Sequence, residues 1–472
     1  MILYRKRRVA ALAASMAVAV LTLAQAPADA AASPQDIARL GKDLTPWGAE
    51  VAGNKDGSIP AWRGGQKALP AGFNPNGGGK RWVDPFAGEK PLFTITADNA
   101  AKYQDKLLGS TQELFRRYPK GFRMEVYPSH RTVWVPDWVN ENTAKNATSA
   151  KILPNGYALG GAFGGIPFPF PKTGLEVWWN NEVRYKGTYQ HVNVATWAVD
   201  SAGRRSLNGA FSSDIYYPNF DQQLGREKFL AGDGLYYKVY NDYTAPASRV
   251  GEVNLYWTWY DQSAHAGKGW IYAPGTRRVR TAPDLFYDTP NPGYNGGITM
   301  DDIQMTYGPQ DRFDWKLVGK QEKLIPYSNY TQQFATPSEH TLTPNFPNPE
   351  DIRWELHRVW VIEGTPKAGV HHIYSKKVVY LDEDYGSSEM ETYDKAGKIF
   401  RAGWSTMVEL YDIGIPYSLG NFFFDFSTGM YWLGSHPGDA SVKGLEFPKD
   451  DSWRKSRLPM FTPEYIQANG VR

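Results

Sequence analysis

Three carboxylates stand in consecutive positions at Asp382, Glu383 and Asp384, followed by Tyr385 and Gly386. Clustered oxygens suit a hard cation, and the run opens like a calcium loop, but no glutamate closes it at the proper distance. The expected structure is therefore a solvated turn. Asp382 and Asp384 could instead serve as the two carboxyl groups of glycan cleavage, which must lie roughly 5–10 Å apart. His371 and His372 are adjacent. On a strand, neighbouring side chains point to opposite faces, so the two cannot hold one metal without a bulge. A hydrogen-bonded structural role is expected for them. Arg277, Arg278 and Arg280 form a basic strip. Guanidinium forks can clamp an anionic head group or an acidic partner surface, and the same charges can simply blunt an exposed sheet edge.

Signatures of the commonest chemistries are missing. The chain has no Gly-x-Ser-x-Gly elbow, no His-Glu-x-x-His and no Walker loop. The glycines of 160–165 are followed by Ile166-Pro167-Phe168-Pro169-Phe170-Pro171, where a dinucleotide loop would open a helix. With no cysteine there is no thiol nucleophile, thiolate metal site or disulfide. These residues predict a protein that is not an enzyme and uses no metal and no cofactor. The alternative is an exported hydrolase acting on glycans or lipids through Asp382 and Asp384.

The stretch 252–282 shows what would position a binding site. It reads as two strands with a break between them, the second turning at Pro274-Gly275, a pair suited to a type II turn. Period-two alternation puts Val253, Leu255, Trp257 and Trp259 on one oily face and Asn254, Tyr256 and Thr258 on a mixed one. Val253, Leu255, Trp257, Trp259, Trp270 and Tyr272 are the expected lining of an apolar cavity. Phe163, Phe168 and Phe170 in the Gly/Pro-rich loop would gate it, and Arg278 and Arg280 would meet a head group.

At 472 residues, with 14% aromatic content, 46 Gly and 33 Pro, the chain favours many strands joined by turns. Arg5-Lys6-Arg7-Arg8, the apolar run 9–23 and Ala28-Asp29-Ala30 have the form of a cleavable signal peptide over residues 1–30. Its apolar run falls short of the ~20 residues that span a bilayer. Loss of its four basic residues and of Asp29 takes the formal charge from +3 to zero, which argues against nucleic-acid binding. Without a cysteine the mature chain cannot be a lipoprotein. A soluble periplasmic protein with no transmembrane segment is expected.

Residues 31–97 read as an extended Gly/Pro-rich lead-in, and 98–472 as a single domain. Helices are expected over 98–118, 137–150 and 175–185. Strand signals dominate from 187 to 436, among them 189–199, 236–243, 253–260, 270–281, 352–364 and 371–381. The fold class is mainly β, one large, strongly curved antiparallel sheet or incomplete barrel with a helical cover.

Several segments together carry a family likeness. They include Leu44-Thr-Pro-Trp-Gly-Ala-Glu50, Asp56-Gly-Ser-Ile-Pro-Ala-Trp62, Val126-Tyr-Pro-Ser-His-Arg131, Gly165-Ile-Pro-Phe-Pro169, 270–280, 311–320, His357-Arg-Val-Trp-Val361 and Tyr380-Leu-Asp-Glu-Asp384. With these the chain resembles DUF1329, an uncharacterised proteobacterial family related to the lipoprotein-sorting carriers LolA and LolB. The resemblance implies a half-barrel closed by helices over an apolar cavity, a carrier of a lipid or other hydrophobic ligand, and no catalytic residues. It also implies a transporter of the resistance-nodulation-division (RND) type, or an outer-membrane protein, as partner. The chain is about twice the size of a simple carrier of that kind. A docking protein whose aromatic patches bind a membrane complex is the remaining alternative.

Overall fold

A computed structural model describes residues 32–282, 287–418, 420–437, 444–448 and 450–470. The signal-peptide reading of residues 1–30 lies outside them. Among the described residues the strands gather into a 16-stranded sheet built from two meanders. The first runs through Tyr189–Val199, Arg205–Tyr216, Leu235–Ala245, Val253–Trp259, Lys268–Ala273 and Arg278–Thr281, each antiparallel to the one before. The second runs through Phe313–Pro326, Arg353–Pro366, Lys376–Asp382, Ser388–Tyr393, Ile399–Ser405, Asn421–Asp425 and Met430–His436. They fuse where Met430–His436 pairs antiparallel with Tyr189–Val199.

The sheet departs from a purely antiparallel one at a single ladder, where Met124–Val126 runs parallel to Arg353–Pro366. No ladder joins Arg278–Thr281 back to the far edge, so the sheet is open. The aromatic and β-branched segments expected as strands form them, with Tyr189–Val199 matching its predicted bounds. The 270–281 segment is a hairpin whose loop differs from the expected type II turn. Ala273 pairs with Arg278, and Arg277 rather than Gly275 takes the positive φ. A four-residue loop of this kind is commonly built on a type I turn, which makes no such demand at Gly275.

Of the three expected helices, Asp137–Ser149 and Gly174–Glu182 form. The second begins at a capping box in which the Thr173 hydroxyl accepts from Glu176 N and the Glu176 carboxylate accepts from Thr173 N. Trp178 and Trp179 leave it in different directions, their indoles donating to Thr306 Oγ1 (2.7 Å) and Tyr157 O (2.8 Å). The helix expected over 98–118 is interrupted, a 3₁₀ turn at Ala100–Tyr103 preceding an α-helix at Gly109–Arg117. Leu107 and Leu108, between them, are buried in the main core.

The lead-in is part of that core. Trp47, Ala49 and Ile59 pack with Trp354 and Trp404 of the second meander. Gly48 holds φ at +95° with its backbone so close to Pro169 O that a Cβ would lie 1.9 Å from it, so only glycine fits this crossing.

The acidic run is not a solvated turn. Asp382, Glu383 and Asp384 are buried, and four of the segments that carry the family likeness, 44–50, 126–131, 311–320 and 357–361, reach them. Arg131 grips Asp384 through two bonds (2.8 and 2.9 Å), and the Trp47 indole adds a third (3.1 Å). Arg358 Nε donates to Glu383 Oε1 (2.6 Å), and Lys320 reaches both Glu383 and Glu50 (2.9 Å each). Carboxylates this deep remain charged only where cations compensate them, and here cations from distant segments do so.

Candidate functional site

On the face of the first meander opposite the C-terminal helices lies a cavity of about 610 Å³, within the size range of small-molecule sites. The sheet supplies its floor in cross-strand rows. Val192 pairs with Ser213, Ser213 with Asn241, Asn241 with Asn254, and Asn254 with Ile271, all lining residues. A second row runs Val194–Phe211–Tyr243, and a third Ile215–Val239–Tyr256. The lining thus mixes aliphatic side chains with amide and hydroxyl groups. Asn241 Oδ1 and Asn254 Oδ1 are buried there without a hydrogen-bond partner.

The roof comes from 291–307, with Tyr294, Met300, Ile303, Gln304 and Tyr307 facing the floor. It is tied to the second meander by buried charge. Lys377 Nζ meets Asp302 Oδ1 at 2.8 Å, Tyr374 OH donates to Asp302 Oδ2 at 2.5 Å, and His372 Nε2 lies 2.9 Å from Asp301 Oδ2. His372 therefore has a hydrogen-bonded structural role, whereas His371 is exposed. Gln304 takes φ +51°, a sparsely populated conformation for a non-glycine residue, and its side chain accepts from Lys186 Nζ at 3.4 Å.

Lys186 stands at one end of the cavity just beyond the Gly174–Glu182 helix, and its ammonium also donates to the Glu182 carbonyl (2.8 Å). Burial pushes that ammonium down to about 8, with Glu182 opposing and Arg184 adding to the fall. Arg184 is buried beside it, donating to Asn181 O, Asn181 Oδ1 and Ser418 Oγ, with Nε unpartnered. Burial lowers its pKa too. Elsewhere in the lining, Arg249 is paired with Glu252 (2.6 Å) and stacked on the Tyr243 ring (3.6 Å).

The residues singled out from the sequence are distributed differently. Val253, Leu255 and Tyr272 belong to the oily face, which packs against Trp453, Phe461 and Ile466 on the far side of the sheet. Trp257 borders the cavity, but its indole donates to Phe461 O (3.1 Å) on that far side. Trp270 packs edge-on against it, and the buried Trp259 donates to Asp233 Oδ2 (2.9 Å).

Phe163 packs on Phe229, and Asn180 pins the Phe168 backbone through both N and O (2.8 and 2.7 Å). Neither they nor the half-buried Phe170 line the cavity. Arg278 and Arg280 are exposed on the edge strand. Arg280 pairs with the cavity residue Ile271 and so shares its face without entering the lining.

The floor strand Arg205–Tyr216, which brings Phe211, Ser213 and Ile215, was absent from the predicted strands. The turn at 201–203 was a usable signal, since a strand broken by a turn in a meander is followed by another. Asp382 and Asp384 are fully packed and lie outside the cavity.

Fold and site together define a mainly β protein that keeps a ligand-sized hollow on one face of an open sheet. The chain belongs to the family described as Protein of unknown function (DUF1329), which matches residues 94–467. It is 34% identical over 462 residues to the uncharacterized protein PA3922 of Pseudomonas aeruginosa, covering 96% of this chain and 98% of that one. Among solved structures it is similar to a candidate outer membrane lipoprotein-sorting protein domain from Vibrio parahaemolyticus (14% identity, 62% of this chain and 98% of that chain, TM-score 0.41). A DUF1329 family protein from Desulfovibrio piger aligns at 14% identity over 60% of this chain and 92% of its own, with a TM-score of 0.38. A LolA superfamily protein from Nitrosomonas europaea aligns at 12% identity over 62% and 100%, with a TM-score of 0.35. Among the described residues no helix is long and apolar enough to cross a membrane.

Proposed function

We propose that the protein is a periplasmic carrier that holds a hydrophobic ligand, a lipid or an acyl chain, in the cavity above the first meander. The observation that carries this reading is the hollow itself, about 610 Å³, with aliphatic and aromatic side chains along its floor beside a row of amides. Each methylene withdrawn from water contributes ~0.8 kcal/mol, so a tail of about ten would gain roughly 8 kcal/mol before the entropy of association is subtracted. No covalent step is needed, and the hydrolase alternative has little support because Asp382 and Asp384 are packed away from the cavity. The address rests on the signal-peptide pattern of residues 1–30, and the RND-type transporter partner on the family likeness alone.

Native mass spectrometry of the full chain expressed with its leader and recovered from the periplasm tests the reading, with organic extraction of the same sample. A stoichiometric apolar adduct that is lost in Val239→Trp, which fills the hollow from a half-buried floor position, is the expected result. A chain that carries no adduct and takes up no lipid when incubated with vesicles would defeat it.

A further inference from the structure

Cations buried in this protein are mostly matched. Arg131, Lys377 and Arg401 of the packed half lie 2.8, 2.8 and 3.2 Å from the carboxylates of Asp384, Asp302 and Asp425. At the Glu182 end of the cavity the pattern breaks. Among the described residues, no carboxylate lies within ion-pair distance of Lys186 or Arg184, and both are held by neutral acceptors. The nearby acid is Glu182, whose Oε1 accepts the Tyr236 hydroxyl. The buried Arg184 and the half-buried Lys186 thus stand side by side with no carboxylate paired to either, an arrangement that favours an incoming anion.

Lys186, Tyr217 and Gln304 line both the main cavity and a niche of about 30 Å³ beside Arg184. That space is enough for one water or one ligand oxygen. Apolar surface starts directly beyond with Ile215 and Val239 and continues through Val192 and Ile271 to Val194 and Phe211, with Ser213, Asn241 and Asn254 crossing the floor between them. Along one floor strand the lining extends from Tyr217 to Gly209, roughly 26 Å at the rise of an extended chain. At the other end Arg249 is already neutralised by Glu252. The cavity is therefore polarised along its length. Lys186 also caps the carbonyl end of the Gly174–Glu182 helix, where a cation is favourable, but capping does not account for a second unmatched cation beside it.

We propose that the cavity takes an anionic amphiphile with a single apolar tail, its head group seated against Lys186 and Arg184 and its tail lying on the floor of the first meander. The proposal rests on the carrier reading and narrows it to a ligand class. Its test uses delipidated full-length protein processed in the periplasm and three probes of equal tail length: palmitate, hexadecyl phosphate and hexadecanol.

At least one of the two anions should bind about tenfold or more tightly than the alcohol, the worth of a charge-assisted hydrogen bond. The order of the two anions separates a carboxylate ligand from a phosphate one. Lys186→Met should reduce the anion preference severalfold while leaving hexadecanol affinity in place, and Lys186→Arg should keep the preference. Thermal unfolding of both variants checks that they fold, and the wild-type preference is decisive even where Lys186→Met does not. Equal binding of the three probes, or a preference that survives intact in Lys186→Met, overturns the head-group seat and leaves the carrier standing. Binding of none of them counts against the carrier reading itself.

Discussion

The two meanders share one sheet but use it in opposite ways. Apart from the edge strand Phe313–Pro326, strands of the second are largely buried, as in Asn421–Asp425, where every residue is buried, and Arg353–Pro366, where most are. One face meets the lead-in and Gly109–Arg117, and the other meets Trp178 and Trp179. Several charged residues caught between these layers, among them Arg131 with Asp384 and Lys377 with Asp302, are paired across long sequence separations, whereas buried Glu389 and Glu409 meet no cation among the described residues and burial raises both. The first meander is covered closely over its oily face, and over its mixed face only part is packed, Val192 and Val194 meeting Tyr330 and Leu410, while elsewhere the roof stands off and leaves the hollow. Apolar surface gains most by close packing against other apolar surface. The face richer in amides and hydroxyls is accordingly the one left facing open space, a division that gives the packed half the task of holding the roof and the hollow half the task of receiving a ligand.

The largest effect expected from breaking this division is at Arg131. Its replacement by Met removes the partner of Asp384 and Glu383, leaving buried carboxylates uncompensated, at a cost of about 3–5 kcal/mol. Urea unfolding would read this as a lowered midpoint, and a change under about 1 kcal/mol would mean that the network is not the clamp of the packed half. Leu255→Ala comes next. Leu255 is fully buried on the oily face, so truncation should cost about 2–5 kcal/mol yet leave lipid retention by the folded fraction unchanged. Retention that falls without loss of stability would place the ligand on the C-terminal side of the sheet.

Much of the fold was legible because its signals are local. The apolar residues of 175–185 and the alternating aromatic strands act over a few residues and were read as helix and strands, while the equally local Thr173–Glu176 capping box was passed over. Alternation also sorted 253–259 correctly into an oily and a mixed face, but a period of two cannot say which face is filled. That was decided by residues 453–466, nearly two hundred positions away. The acidic run misled for the same reason, since Asp382–Asp384 is a charged turn by composition and a buried one only because Trp47, Arg131, Lys320 and Arg358 arrive from elsewhere. Lys186 and Arg184 carry no sequence signal at all. Their meaning depends on having no carboxylate opposite them, which only the packed structure reveals.

Filling the hollow should separate the two halves functionally with a smaller energetic change. Val239→Trp places an indole over the floor from a half-buried lining position, so its stability change should be within about 1–3 kcal/mol, at or below the usual cost of overpacking. Uptake of a fluorescent fatty acid should nonetheless fall to background. Undiminished uptake in a folded variant would move the binding site out of the cavity.

The remaining effect concerns pH and belongs wholly to the packed half. Burial lifts the Asp382 carboxyl to about 7, with His357 opposing and Asp384 and Glu383 adding to the rise. An acid whose folded pKa exceeds its unfolded value near 3.9 binds its proton more tightly in the fold. Its contribution to stability is full at low pH, falls as pH rises from about 4 to 7, and is level above that. Asp384 has the opposite sign. Against the push of burial Arg131 holds it low, so its contribution is lost only as pH falls below about 4. The two windows do not overlap, and Asp382→Asn isolates the upper one. The amide cannot ionise and can still accept from Tyr327 OH and Gly386 N, now 3.2 Å from Asp382 Oδ2. Unfolding midpoints at pH 4, 5, 6 and 7 should show the variant gaining on the wild type toward pH 7. Parallel curves would mean that Asp382 is charged in the fold and that the cations around Glu383 and Asp384 serve it as well, extending their compensation to the whole acidic run.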